Sequence, residues 1–175
     1  YQYIAEGFGL QPNFWRPPND NDYGNGGPLR EQVWKEMSHN FKVEKCHTYI
    51  YDNIANINVI YNLVNNNKLD VLYRVHGSGV VNVQANYIHS QETLPGKLPD
   101  IPRIGLRFRV PTELNNVHYF GRGPEENYLD RKDGTQIGLY KTTAEQLYYP
   151  YVRPQENGHH IDTRWLALFK PSSTG

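Results

Sequence analysis

An all-β fold of antiparallel sheets is the class this sequence predicts, and three observations predict it. From Asn53 to His89, apolar and polar side chains alternate through three runs. Ile57, Val59, Tyr61 and Leu63 share one face, then Leu69, Val71, Tyr73 and Val75, then Val81, Val83, Ala85 and Tyr87. Between the runs stand Asn65-Asn66-Asn67-Lys68 and Gly77-Ser78-Gly79, turn chemistry at the short spacing of a meander. Thirdly, helical spacing is confined to Leu29 to Ser38, where Val33, Trp34 and Met37 fall on one side, and to a brief turn near Thr143 to Leu147.

The remaining elements follow the same period. Ile104, Leu106, Phe108 and Val110 alternate with Gly105, Arg107 and Arg109. Val117 to Phe120 reads as a short strand, and Ile161, Thr163, Trp165, Ala167 and Phe169 as another. Residues 90–103 carry Pro95, Gly96, Pro99 and Pro102 and read as a Pro-rich surface connection, and residues 1–10 as an entry segment. A chain of 175 residues suffices for one domain with a core, and two stacked antiparallel sheets are the expected arrangement.

Composition narrows the function. Eighteen basic residues balance eighteen acidic ones, with no block of like charge, which argues against a nucleic-acid backbone or an anionic membrane as partner. No apolar run reaches the length of a membrane span, and Tyr1 to Leu10 lacks the pattern of a signal peptide. Cys46 is the single cysteine, so an intrachain disulfide and a cysteine-based metal cluster are excluded. The only methionine is Met37, and both ends read as cut from something longer.

Three loops concentrate the chemistry: Phe14-Trp15-Arg16-Pro17-Pro18-Asn19-Asp20-Asn21-Asp22, Phe120-Gly121-Arg122-Gly123-Pro124-Glu125-Glu126-Asn127-Tyr128-Leu129-Asp130-Arg131, and Tyr151-Val152-Arg153-Pro154-Gln155-Glu156-Asn157-Gly158-His159-His160. Ordering such loops is costly unless their side chains pair with one another or meet a ligand. Paired carboxylates are the signature of glycoside hydrolysis, and Asp20, Asp22, Glu125, Glu126, Asp130 and Glu156 all sit here. Each also has an arginine or amide nearby in sequence, so hydrogen-bonded bracing is the competing and favoured reading for any one of them. His159 and His160 are adjacent and would face opposite ways on a strand, and no metal-binding histidine spacing occurs. A proton-shuttling centre of His118, Glu156 and His159, as in sugar mutarotation, is the alternative chemistry. The Gly121-Arg122-Gly123-Pro124 run lacks the Lys-Ser/Thr of a phosphate loop and precedes acids, which excludes nucleotide binding.

Taken together, the loops resemble a known family. Asn13-Phe14-Trp15-Arg16-Pro17-Pro18-Asn19-Asp20-Asn21-Asp22, then Gly121-Arg122-Gly123-Pro124-Glu125-Glu126-Asn127-Tyr128-Leu129-Asp130-Arg131, then Tyr148-Tyr149-Pro150-Tyr151-Val152-Arg153-Pro154-Gln155-Glu156-Asn157-Gly158 followed by Arg164-Trp165, are similar in order and spacing to the C-terminal small-chain domain of LacZ-type family 2 β-galactosidases. The resemblance implies an antiparallel β-supersandwich, similar to galactose mutarotase and continuing past Gly175. It also implies a parent enzyme that hydrolyses terminal β-D-galactosides with retention, using two glutamates of a (β/α)8 barrel outside this chain. It implies no catalytic residue and no cofactor here, the family's magnesium and sodium ions being held mainly in other domains. The partners it implies are those other domains and a β-galactoside, with self-association through unpaired sheet edges also expected. One network of Arg16, Asp20, Asp22, Glu126, Asn127, Asp130, Arg131, Glu156, Asn157 and Arg164 would then brace the surface facing the barrel. A stand-alone carbohydrate-binding or mutarotase-like module is the alternative.

Overall fold

The computed structural model describes residues 9–90 and 98–171. Nine strands are arranged along it: β1 (Gln11–Asn13), β2 (Lys42–Tyr51), β3 (Ile54–Asn62), β4 (Lys68–Val75), β5 (Val81–Ile88), β6 (Gly105–Arg107), β7 (Asn116–Gly123), β8 (Gln136–Thr143) and β9 (Trp165–Phe169). Short helices α1 (Asp20–Gly24), α2 (Gly27–Arg30) and α3 (Gln32–His39) stand between β1 and β2. All strand pairs are antiparallel, in sheets of order β1-β6, β2-β3-β4-β5 and β8-β7-β9. The fold is all-β, as the period-two patterning requires. The chain forms two compact units, one built from Leu10–Arg16 and Gly26–Arg107, the other from Pro17–Asn25 and the chain from Phe108 onward.

In the first unit, the meander places Tyr61, Leu69 and Tyr87 in one cross-strand row and Val59, Val71 and Ala85 in the next. α3 covers this end of the sheet. Its apolar side and the residue after β1 supply Trp34, Met37 and Phe14, which close a core with Leu63, Leu69 and Val71. Ser38 is fully buried and joins the two: its Oγ accepts from the Phe14 amide at 2.8 Å and donates to the Trp34 carbonyl at 2.8 Å. The helical stretch expected over Leu29 to Ser38 is thus two helices separated at Glu31, the second ending at His39. β2 has no counterpart in the sequence-based expectation. A register shift between Val43 and Lys45 breaks its alternation, and every residue in it is exposed, so the burial that enforces a period-two pattern is missing.

The turn between β3 and β4 rests on one side chain. Asn67 is fully buried. Its Nδ2 donates to the carbonyls of Val64 and Asn65, and its Oδ1 accepts from Tyr87 Oη, His89 Nδ1 and the Ser90 amide. Asn65 and Asn66 take left-handed backbone conformations, which asparagine tolerates better than most residues. Of the Pro-rich connection over 90–103, residues 91–97 lie outside the described residues, and the remainder carries no helix or strand.

In the second unit β7 is the central strand. Val117, Tyr119, Gly121 and Gly123 point to one face, and His118, Phe120 and Arg122 to the other. The strand expected over Val117 to Phe120 therefore continues through two glycines that the sequence presents as breakers. A Cβ on Gly121 would lie 2.9 Å from the Thr163 backbone, and one on Gly123 would overlap the Tyr119 hydroxyl. These glycines permit close approach within a strand and end nothing. The segment 148–164 lies across that first face and returns into β9, so the strand expected from Ile161 begins only at Trp165. At the other end of β8, Leu147 donates its amide to Thr143, forming the expected helical turn.

Replacing Asn67 by alanine removes the bonds its side chain accepts from Tyr87, His89 and the Ser90 amide, and takes that partner from Tyr87 Oη and from the Val64 and Asn65 carbonyls. The cost is about 2–4 kcal/mol of unfolding free energy. Urea unfolding of the variant measures it, with a lowered midpoint and an unchanged slope as the expected result.

Candidate functional site

Segment 148–164 brings polar loops together. Asn127 is fully buried just beyond the end of β7 and spends its whole amide on backbone. Nδ2 donates to the carbonyls of Arg122 and Glu125 at 3.1 and 3.0 Å, and Oδ1 accepts from the Ile161 amide at 2.9 Å. Its own amide donates to the His159 carbonyl at 2.8 Å, and its carbonyl accepts from His159 Nδ1, also at 2.8 Å. Loop 120–131 and segment 148–164 are stitched on both sides of one residue. The Gly123–Pro124 peptide in this loop is cis.

Glu126 makes the second connection. Its side chain is nearly buried, and Oε1 accepts from Arg131 at 2.5 Å and from the Tyr151 hydroxyl. Oε2 accepts from the Gly158 amide at 2.7 Å. Burial pushes its pKa up, but the donors Tyr151, Arg131 and Gly158 outweigh burial and hold the carboxyl below its ordinary value. Arg131 also donates to the Tyr151 hydroxyl at 3.1 Å and lies over the Tyr128 ring at 4.8 Å. That ring stacks on His159 with centroids 4.7 Å apart and planes 12° from parallel. The Tyr128 hydroxyl is held well above its ordinary range by burial and then by the charges of Glu156 and Glu126, so it stays protonated.

Below this cluster, Arg122 leaves β7 to pair with Asp162 at 2.6 Å and to donate to the carbonyls of Lys132 and Thr135. His160 Nδ1 lies 2.9 Å from the Arg122 carbonyl and so carries the proton. Tyr119 Oη, 3.3 Å from that nitrogen, then donates to the Pro124 carbonyl at 3.4 Å. Burial, reinforced by Tyr140 and Glu125, pushes the Tyr119 hydroxyl up to about 12.

The first loop joins at its charged end. Asn19 caps α1 by a reciprocal pair with Asp22, each accepting from the other's amide at 3.0 and 2.8 Å. Asp20 meets Arg153 at 3.4 Å and Gln155 at 3.1 Å, and Arg153 lies over the Tyr23 ring. Asn157 donates to the Tyr149 carbonyl, and Arg164 to the Asp162 carbonyl while lying over Phe120. Asp130 is exposed on the 3-10 helix Leu129–Gly134. Arg16 belongs to the other unit, where it lines an open cleft with Arg30, Glu31 and residues 98–102. His118 is against Phe169 on β9, whereas His159 is held by Tyr128 and Asn127. Asp162 belongs to the bonding around these loops although sequence reasoning gave it no role, and Tyr151 and Arg122, expected only as a bordering aromatic and a nearby arginine, join it there. Only the density of arginines and acids pointed at Arg122. Among the described residues, no three His, Cys, Asp or Glu side chains converge as a metal site would require.

Comparison with known proteins decides what this arrangement belongs to. Residues 2–173 match the family model described as β-galactosidase small chain. The chain belongs to the β-galactosidase small-chain family. It is 32% identical over 175 residues to a β-galactosidase of Priestia megaterium, with 98% of this chain and 16% of that protein covered. Similarity to the β-galactosidase of Streptococcus thermophilus is 34% over 171 residues, covering 95% of the chain and 16% of the relative. For that of Actinobacillus pleuropneumoniae it is 33% over 169 residues, covering 90% and 15%. The chain thus spans about a sixth of the length of these relatives.

The depressed pKa of Glu126 carries a pH signature. Because the folded value lies below 4.5, its bonds contribute their full stability above about that pH, and this is lost as pH falls through the folded value. Hydrogen exchange at the Gly158 amide should show a constant protection factor above pH 4.5 and a decline below it. In Glu126→Gln, which keeps an acceptor but cannot ionise, protection should be lower and independent of pH across that range.

Proposed function

We propose that this chain is a domain of a β-galactosidase that hydrolyses terminal β-D-galactosides with retention, and that its loops brace a catalytic site supplied by another part of the same protein. The observation that carries the reading is the state of Glu126. Its side chain is nearly buried, yet it is held ionised and accepts hydrogen bonds from three partners. A general acid for glycoside cleavage needs the opposite, a carboxyl kept protonated by a raised pKa. Asp162 and Asp20 are likewise engaged with arginines. With these acids committed to bonding, the two catalytic glutamates of a retaining mechanism belong to the part of the parent that this chain does not span.

Support for the bracing role comes from the arrangement of bonds around residues 120–131 and 148–164, which runs from backbone to side chain to backbone. The half-exposed Arg131 guanidinium, seated on the Tyr128 ring that stacks on His159, is the hydrogen-bonding group this reading offers to carbohydrate. The intact protein should release galactose from a nitrophenyl β-galactoside, far faster than from the α-anomer or the β-glucoside. NMR should show β-galactose as the first product. Absence of galactose release, or α-galactose formed first, contradicts the reading.

A further inference from the structure

The three-stranded sheet β8-β7-β9 carries apolar side chains on both faces; segment 148–164 packs on one, while among the described residues the other is approached by Arg164, over the Phe120 ring, and by Asp162, paired with Arg122 at its edge. On the face carrying Val117, Tyr119, Gly121 and Gly123, segment 148–164 lies close: Thr163 meets Gly121, and His160 meets the Tyr119 ring at 4.9 Å. On the opposite face, register aligns Leu139, Phe120 and Trp165 in one row across the sheet. Ile137 and Arg122 stand above that row, and Lys141, His118 and Ala167 below it, with Phe169 beyond. Leu139 is 72% exposed, Trp165 and Phe169 46%, and Ile137 39%.

A soluble surface does not tolerate such a row without reason. The sequence of β9, Trp165-Leu166-Ala167-Leu168-Phe169, is a continuous apolar run, the mark of a strand covered on both sides. We propose that this face, centred on Leu139, Phe120 and Trp165, is the surface against which the remainder of the parent chain packs, through a segment that is apolar at its centre and carries a carboxylate opposite Lys141. The inference rests on reading the chain as one domain of a longer β-galactosidase, and it deepens that reading by naming the docking face. Two observations select the occupant. The relatives are about six times the length of this chain, so ample sequence accompanies the domain. The strand residues of this face include Lys141, Arg122 and His118 and no carboxylate. A second copy docking by the same face would bring basic residues together with nothing to neutralise Lys141, whereas Arg122 already has Asp162.

Thiol labelling of the intact protein tests this. Leu139→Cys and, as an independent position on the same face, Ile137→Cys are made in a background with Cys46→Ser and no other accessible cysteine. Val152→Cys, fully exposed in segment 148–164, is the reference. Both face positions should label at least tenfold more slowly than Val152→Cys, at a ratio unchanged by dilution, and all three should equalise in urea. Labelling of the face positions at the reference rate overturns the proposal. Protection that disappears on dilution assigns the face to a second copy and overturns it equally. Galactose release by the same preparations reports separately on the parent's activity, so failure of docking and failure of the functional reading give different results.

Discussion

The buried amide of Asn127 is the constraint on which the second unit depends. A loop rich in glycine, proline and charge has little intrinsic tendency to order, and residues 120–131 gain it by giving their backbone groups to one side chain. The same residue exchanges backbone and ring hydrogen bonds with His159, so ordering the loop orders the return segment at the same time. Glu126, one residue earlier, then has Tyr151 and the Gly158 amide within reach, and these donors stabilise its charge against the upward push of burial. Arg131, Tyr128 and His159 stack on that base. Each later contact presupposes the one before.

Much of this was legible in the sequence, but unevenly. The meander from β3 to β5 could be read because one face is buried and the alternation is therefore enforced. β2 and β8 could not, β2 because exposure relaxes its pattern and a bulge shifts it, β8 because Gly138 interrupts its apolar residues where the ring of the same strand's Tyr140 occupies the space of a side chain. Gly121 and Gly123 carried the most misleading signal. Glycine in a polar stretch ordinarily marks a turn, and only the closeness of Thr163 and the Tyr119 hydroxyl shows why a strand needs it here. The candidate site was legible as a set of residue types. Its pairings were not: sequence proximity suggested partners within each loop, whereas Glu126 and Asn127 take most of theirs from more than twenty residues away.

Under the proposed function, that geometry also accounts for a loop crowded with acids bracing a site instead of cleaving a glycoside itself. Catalysis of glycoside cleavage asks for two carboxyls in different protonation states, facing a shared space. Here Glu126 faces inward to its donors, Asp162 is paired with Arg122, and Asp20 is engaged at a charged rim by Arg153 and Gln155. In the proposed function, charge spent in this way confers rigidity on the segments that a neighbouring site leans on. Rigid support of this kind is what positions reacting groups elsewhere, since small displacements of a positioned group are costly to catalysis.

Whether the loops are one cooperative unit decides the account. Hydrogen–deuterium exchange of the intact protein carrying Asn127→Ala, followed peptide by peptide, addresses it directly. The account predicts that peptides covering 120–131 and 156–161 lose protection together and to a similar degree, while those of β3 and β4 keep theirs. Loss confined to one of the two segments, or unchanged protection in both, would contradict it.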